Sequence, residues 1–177
     1  CVNGSKKIDC LASLSTIAGN TSVSAHSLIK DKWVIFTSNE GVYEFDFQTI
    51  QITPYRKLKI NNGKVIHDNY GDCWAYNNTG RIYYINVKSG EIKDFQLIPE
   101  EKMKYIDYER YHVVRDDRGI VWISTYGNGL FTYDIQEDRL EHFVSEGKNA
   151  GPIGSDFLLC LMKDRTGGIW VSSEYSG

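Results

Sequence analysis

Short apolar runs punctuated by Gly, Asp and Asn recur along this chain, with no long helical stripe among them. In KWVIFTS, CWAYNN, VWISTY and IWVSSE a tryptophan sits inside such a run, and in VYEFD, IYYIN and LFTYD aromatic residues alternate before an Asp or Asn. A period of two is the mark of a strand. It places Tyr43, Phe45 and Phe47 on one face, as it does Tyr83, Ile85 and Val87, and Phe131, Tyr133 and Ile135. Leu130 and Ile82 fall on the opposite faces, so both sides carry bulk and each sheet is expected to lie between two others. The clearest unit predicts strands over 111–116, 120–125, 130–136 and 140–145, joined by the turns DDRG, YGNG and QEDR, which are short enough for antiparallel hairpins.

The pattern repeats. Trp33, Trp74, Trp122 and Trp170 are spaced 41, 48 and 48 residues apart. Asp68, Asp116 and Asp164 stand six residues before the last three, and Gly71, Gly119 and Gly167 three residues before them. A second set of glycines, Gly41, Gly80, Gly129 and Gly177, follows each Trp, and Asp46, Asn86 and Asp134 end the aromatic runs. Four short antiparallel strands at a period of about 40–50 residues describe a β-propeller blade. The fold class read from the sequence is therefore all-β, a β-propeller fragment of about three and a half four-stranded antiparallel blades. Residues 24–60 form the first blade, 61–100 the second, 101–147 the third and 148–177 the first half of a fourth. Residues 1–23 are a lead-in or the closing strand of an earlier blade. A seven-bladed ring needs roughly 320 residues, so the chain is expected to be a piece of a longer protein. An open array exposes an apolar face and an unpaired edge, and self-association is expected.

Composition narrows the partners. The net charge is −3, with 41% hydrophobic and 24% charged residues, an ordinary globular balance. No concentration of Lys and Arg suits a nucleic-acid partner. The longest apolar stretch, 157–162, is far short of the roughly 20 residues of a membrane span, so any membrane attachment is expected through segments not present here. No stretch reads as a secretory signal. Cys1, Cys10, Cys73 and Cys160 include no CxxC pair, and none has a His at ligand spacing. No metal and no cofactor are expected, and Cys73 and Cys160 read as buried strand thiols. Cys1 reads either as the lipid-bearing first residue of a mature lipoprotein or as the start of the segment.

The repeat residues read first as structure. Asp caps a tight turn and Gly supplies positive φ, while a tryptophan at fixed register is core packing between blades. In a propeller the turns after the Trp strands and the connections between blades share one rim. Those turns, SNEG, YNNTG, YGNG and EYSG, offer Asn39, Glu40, Tyr76, Asn77, Tyr126, Asn128, Glu174 and Tyr175. Tyr rings stack on apolar sugar faces, and amides and carboxylates meet hydroxyls. Tyr105, Tyr108 and Arg110 are further contributors from a long connection. The four histidines are scattered, no G-x-S-x-G, H-E-x-x-H or P-loop occurs, and no carboxylate pairing for glycoside hydrolysis can be read from spacing. No catalytic residue is assigned.

DDRGIVWISTYGNGLFTYD and KDRTGGIWVSSEYSG resemble the two-component regulator propeller repeat: D-x-x-G-x-[IVL]-W-[IV]-[GS]-[TS], then x-x-G-[IL]-x-x-[YF]-[DN]. The likeness covers about 120 residues. It departs from the pattern at the inserted Arg81, at Asn77 and Asn78, and in the first unit before Trp33, where Asp31 lies two residues ahead of the Trp. Residues 117–122 also match the D-x-G-x-x-W core of the Asp box of sialidase-like propellers, departing at Arg115 and Val121. The two-component resemblance implies the periplasmic sensor part of an inner-membrane hybrid histidine kinase/response regulator. It implies an oligosaccharide or other small ligand, with the kinase in domains not present here and no catalysis in this segment. The alternatives are a propeller enzyme acting on polysaccharides or a protein-interaction scaffold.

Overall fold

A computed structural model describes residues 22–30, 32–38, 41–60, 62–102, 111–147 and 151–174. The lead-in to residue 21, Cys1, Cys10, Asp31, Tyr105, Tyr108, Arg110 and Gly177 lie outside the described residues. Apart from one 3-10 turn, Glu100–Lys102, the regular structure among them is β. The first sheet holds β1 (Val23–Ile29), β2 (Lys32–Thr37), β3 (Val42–Asp46) and β4 (Gln51–Pro54). The second holds β5 (Lys64–His67), β6 (Cys73–Tyr76), β7 (Arg81–Ile85) and β8 (Ile92–Gln96). The third holds β9 (His112–Arg115), β10 (Ile120–Ser124), β11 (Leu130–Asp134) and β12 (Arg139–Phe143). β13 (Leu158–Lys163) and β14 (Ile169–Ser173) form a two-stranded sheet. Within every sheet the strands lie side by side in chain order, the meander of a propeller blade.

Two compact units are present. Residues 1–65 with 86–92 make the first, in which Val34, Phe36, Val42, Tyr43, Tyr55, Leu58 and Ile60 are buried. In the second unit, residues 66–85 with 93–177, Trp74, Ile82 and Tyr84 of the second sheet pack against Val121, Ile123, Phe131 and Tyr133 of the third. Leu130 turns the other way, onto Leu158 and Leu161 of β13. β11 is thus buried on both faces, as its alternation requires.

The repeated Asp explains the repeated Trp. Asp116 Oδ1 accepts the backbone N–H of Arg118 (3.0 Å) and Ile120 (2.9 Å), and Oδ2 accepts the Trp122 indole N–H at 3.4 Å. Asp68 does the same for Tyr70, Asp72 and Trp74 at 2.9, 3.1 and 3.2 Å. Asp164 repeats it with Thr166, Gly168 and Trp170 at 2.8, 2.9 and 2.7 Å. One carboxylate closes the hairpin turn and fixes the indole on the next strand. Gly71, Gly119 and Gly167 sit at φ +87, +90 and +90, the left-handed residue that completes this bulged turn.

The next turn is closed by the same chemistry. Asp46 accepts N–H groups of Gln48 and Thr49, Asn86 those of Lys88 and Ser89, and Asp134 those of Gln136 and Glu137. Such Asx turns end β11 at Asp134, two residues before the predicted end.

Two expectations fail. Cys73 is buried, but Cys160 is exposed. A register shift between Leu158 and Cys160 turns Leu159 and Cys160 outward together and returns Leu161 to the core, because a bulge inserts one residue into the alternation. Nor are the tryptophans uniformly core: Trp74 is 0% exposed and Trp170 62%. Tyr133 meets Trp74 edge-on at 6.4 Å, whereas no described sheet covers the Trp170 face of β14.

Candidate functional site

The turns between second and third strands carry the sequence-predicted ligand residues. Asn39, Glu40 and Tyr175 lie outside the described residues. Tyr76 is buried and packs against Tyr111, with ring centroids 4.8 Å apart and ring planes tilted by 40°. Asn77 turns its side-chain oxygen onto its own turn, accepting the N–H of Thr79 at 3.1 Å and its hydroxyl at 2.6 Å.

Tyr126 and Glu174 are brought together. They are 48 residues apart in sequence, and the Tyr126 hydroxyl donates to Glu174 Oε2. The Tyr126 ring meets Phe157 edge-on, centroids 5.1 Å apart. Phe157 belongs to the connection leading into β13, and the sequence reading missed it. Its carbonyl also accepts the Glu174 backbone N–H at 3.0 Å. The three side chains form one small cluster, with Tyr126 half-buried and Glu174 exposed.

The frame behind them is stiff. Gly127 and Gly129 both donate to the Asp156 carbonyl, at 2.9 and 3.0 Å, and Leu158 donates to the Thr125 carbonyl at 3.1 Å. The Thr125 hydroxyl closes on the Gly129 carbonyl at 2.8 Å. Gly129 stands at φ +75, and a Cβ there would lie 2.3 Å from the Phe143 carbonyl oxygen, so only glycine fits. Asp156 Oδ1 accepts the Ser145 N–H at 2.6 Å. The Asn128 carbonyl meets His142 Nε2 at 2.7 Å, and the His142 ring stacks flat on Phe131. His142 is thereby a framework residue.

This cluster offers a phenol, a carboxylate and an aromatic ring edge on a fixed turn. Such a set can exchange hydrogen bonds with hydroxyl groups and stack on an apolar ring. Among the described residues no cluster of three or more His, Cys, Asp or Glu is placed to hold a metal ion, and no helix is long and apolar enough to cross a membrane.

At the other end of these strands, Arg115 joins the second and third sheets. Its Nη2 lies 2.6 Å from Asp68 Oδ2 and 2.8 Å from Asp72 Oδ2. Tyr84 donates to the same Asp72 oxygen at 2.8 Å, and Asn69 pairs with the Arg115 backbone at 2.7 and 2.9 Å. The guanidinium lies 5.2 Å from the Tyr70 ring centroid. Burial lowers its proton affinity, but the hydrogen bond it donates to Asp72 and the charge of Asp68 more than reverse this and hold its pKa above the usual value. One repeat later Lys163 reaches back to Asp117, the counterpart of Asn69 rather than of Asp68.

No family model matches the sequence, and no curated protein matches it. Among solved structures, the chain is similar to the extracellular domain of a B. thetaiotaomicron protein described as a hybrid two component system, BT3049. The TM-score is 0.52 and the identity 17%, over 86% of this chain and 19% of that one. The extracellular domain of BT4673 from the same organism, described as a one component system, gives 0.42 and 14%, over 84% and 25%. This chain spans less than a third of either. The first likeness bears out the all-β fold of successive antiparallel sheets.

Proposed function

We propose that this chain is part of the extracytoplasmic, periplasmic region of a two-component sensor, and that it binds an oligosaccharide without acting on it chemically. The Tyr126–Glu174–Phe157 cluster carries this reading, because aromatic edge, phenol and carboxylate stand together on a turn rigidified by Gly129 and Asp156. Two further facts support it: the resemblance of the Trp repeats, and the likeness in fold to an extracellular domain described as part of a hybrid two component system. The ligand would prefer one arrangement of a self-associated receptor, and that differential affinity would shift the equilibrium of a kinase carried elsewhere in the intact protein. Leu159, Met162 and Trp170 are exposed and offer an apolar surface for such association.

The test is a calorimetric titration of the chain with neutral oligosaccharides, repeated with Tyr126→Ala and Glu174→Ala. Saturable binding is expected, weakened at least about tenfold by either change, with the saccharide recovered intact. Binding indifferent to both substitutions would overturn the site, and cleavage of the saccharide would overturn the non-catalytic reading.

A further inference from the structure

The first unit has a charge character opposite to the whole. Residues 1–65 and 86–92 carry nine Lys and Arg against six Asp and Glu, while the chain as a whole is at −3. Part of that excess converges on one concavity of about 260 Å³. Lys30, Lys32 and Lys57 line it, Val34 and Tyr55 are buried residues of its wall, and Glu44 is its one carboxylate. Glu44 and Asp46 lie 3.4 and 3.5 Å from the Lys32 ammonium, so Lys32 is matched within the fold.

Lys30 and Lys57 are positioned by backbone. The Lys30 N–H donates to the Val87 carbonyl at 3.0 Å, and its side-chain stem lies against Gly90, where a Cβ would come within 2.8 Å of Cε. Lys57 sits in the turn closed by Leu58 N–H on the Tyr55 carbonyl at 3.3 Å. Lys30 and Lys57 thus line a shared hollow whose walls contain no second carboxylate.

We infer that this hollow binds a small oxyanion, a sulfate, phosphate or carboxylate group, between Lys30 and Lys57. Its volume is just below the range of roughly 300–1,000 Å³ for ordinary ligand pockets, so it suits one such group or one acidic sugar ring. Charge-assisted N–H···O⁻ bonds in a partly walled site are the strong class of hydrogen bond, and Tyr55 and Val34 exclude water from one side. The site makes no use of the Tyr126 cluster, so its failure would leave the saccharide-binding proposal standing.

The experiment follows the backbone amides of Lys30, Lys57 and Gly90 by NMR while sodium sulfate replaces sodium chloride at constant ionic strength. Saturable shifts confined to these residues are expected. The double variant Lys30→Gln/Lys57→Gln should weaken binding at least about tenfold, whereas Arg56→Gln, an adjacent exposed charge outside the hollow, should change it less than about twofold. Shifts that rise without saturating, or that Arg56→Gln reduces as much as the double variant does, would overturn the site. A sulfated disaccharide that binds more tightly than inorganic sulfate supports a saccharide-borne anion, and the reverse order supports the free ion.

Discussion

The Arg115 guanidinium stands 2.6 Å from the Asp68 carboxylate, across the boundary between two consecutive sheets. Both side chains are largely withdrawn from water, at 13% and 0% exposure. Removing one member of a buried pair leaves the other uncompensated, which costs about 3–5 kcal/mol. Arg115→Ala should therefore lower the urea midpoint steeply, since it abandons Asp68 and Asp72 together. Arg115→Lys should recover only part of the loss, because the lysine ammonium lacks the planar fork of the guanidinium. Equal stability of the alanine and lysine variants would show that charge and geometry at this position are irrelevant.

The tryptophans should grade by burial. Trp74→Ala removes a fully buried ring and is expected to cost about 3–5 kcal/mol. Trp170→Ala removes a ring that is mostly in solvent and should cost under about 1.5 kcal/mol, most of it the lost bond to Asp164. Chemical denaturation of the two variants decides the order, and a reversal would contradict the packing described for the second unit.

Ile50 occupies a backbone shape meant for another residue. It stands at φ +56, and its equivalents in the next two repeats are Gly90 at +69 and Asp138 at +53. A β-branched side chain there costs about 1–2 kcal/mol, and glycine's greater freedom in the unfolded chain takes back about 0.5–1. Ile50→Gly should raise stability by about 0.5–1 kcal/mol, since the isoleucine is 45% exposed and contributes little packing. A thermal melt that moves downward would reject the assignment.

Acid should loosen the hairpins through their turn aspartates. The Trp170 indole N–H, with the Thr166 hydroxyl and the Gly168 N–H, holds the Asp164 carboxyl far below its ordinary value. Burial pushes Asp116 up, but the Arg118 guanidinium and the N–H groups of Ile120 and Trp122 outweigh it and hold it down. A carboxylate with a depressed folded pKa stabilises the fold fully above its unfolded value of about 3.9, and that contribution is lost as pH falls through the folded value. Urea midpoints should therefore decline below about pH 4, and Asp164→Asn should flatten that decline. An unchanged acid limb in the variant would remove Asp164 from the account.

The repeat was legible because spacing survives divergence: a carboxylate six residues before an indole marks one hairpin closed by one side chain. The identity of the bond was not legible, since nothing in a linear pattern shows that Asp68 reaches Trp74. Arg115 read as a departure from a motif, and its partners, Asp68 and Asp72, belong to the preceding repeat. Cys160 was misplaced because alternation carries no sign of a bulge. Tyr126 and Glu174 were picked out for their chemistry, but their meeting depends on Phe157, whose connection has no counterpart in the repeat pattern.

The aspartate that fastens its own turn and its own tryptophan makes each first hairpin self-sufficient. A duplicated copy of the repeat arrives with its fastening already inside it. What must be renegotiated with the neighbour is the residue just ahead of that aspartate, His67, Arg115 or Lys163 in the three copies. Two of these reach into the preceding sheet. A change in the number of copies thus leaves each fastening intact, while the charged contact at each seam is adjusted at the residue ahead of the aspartate.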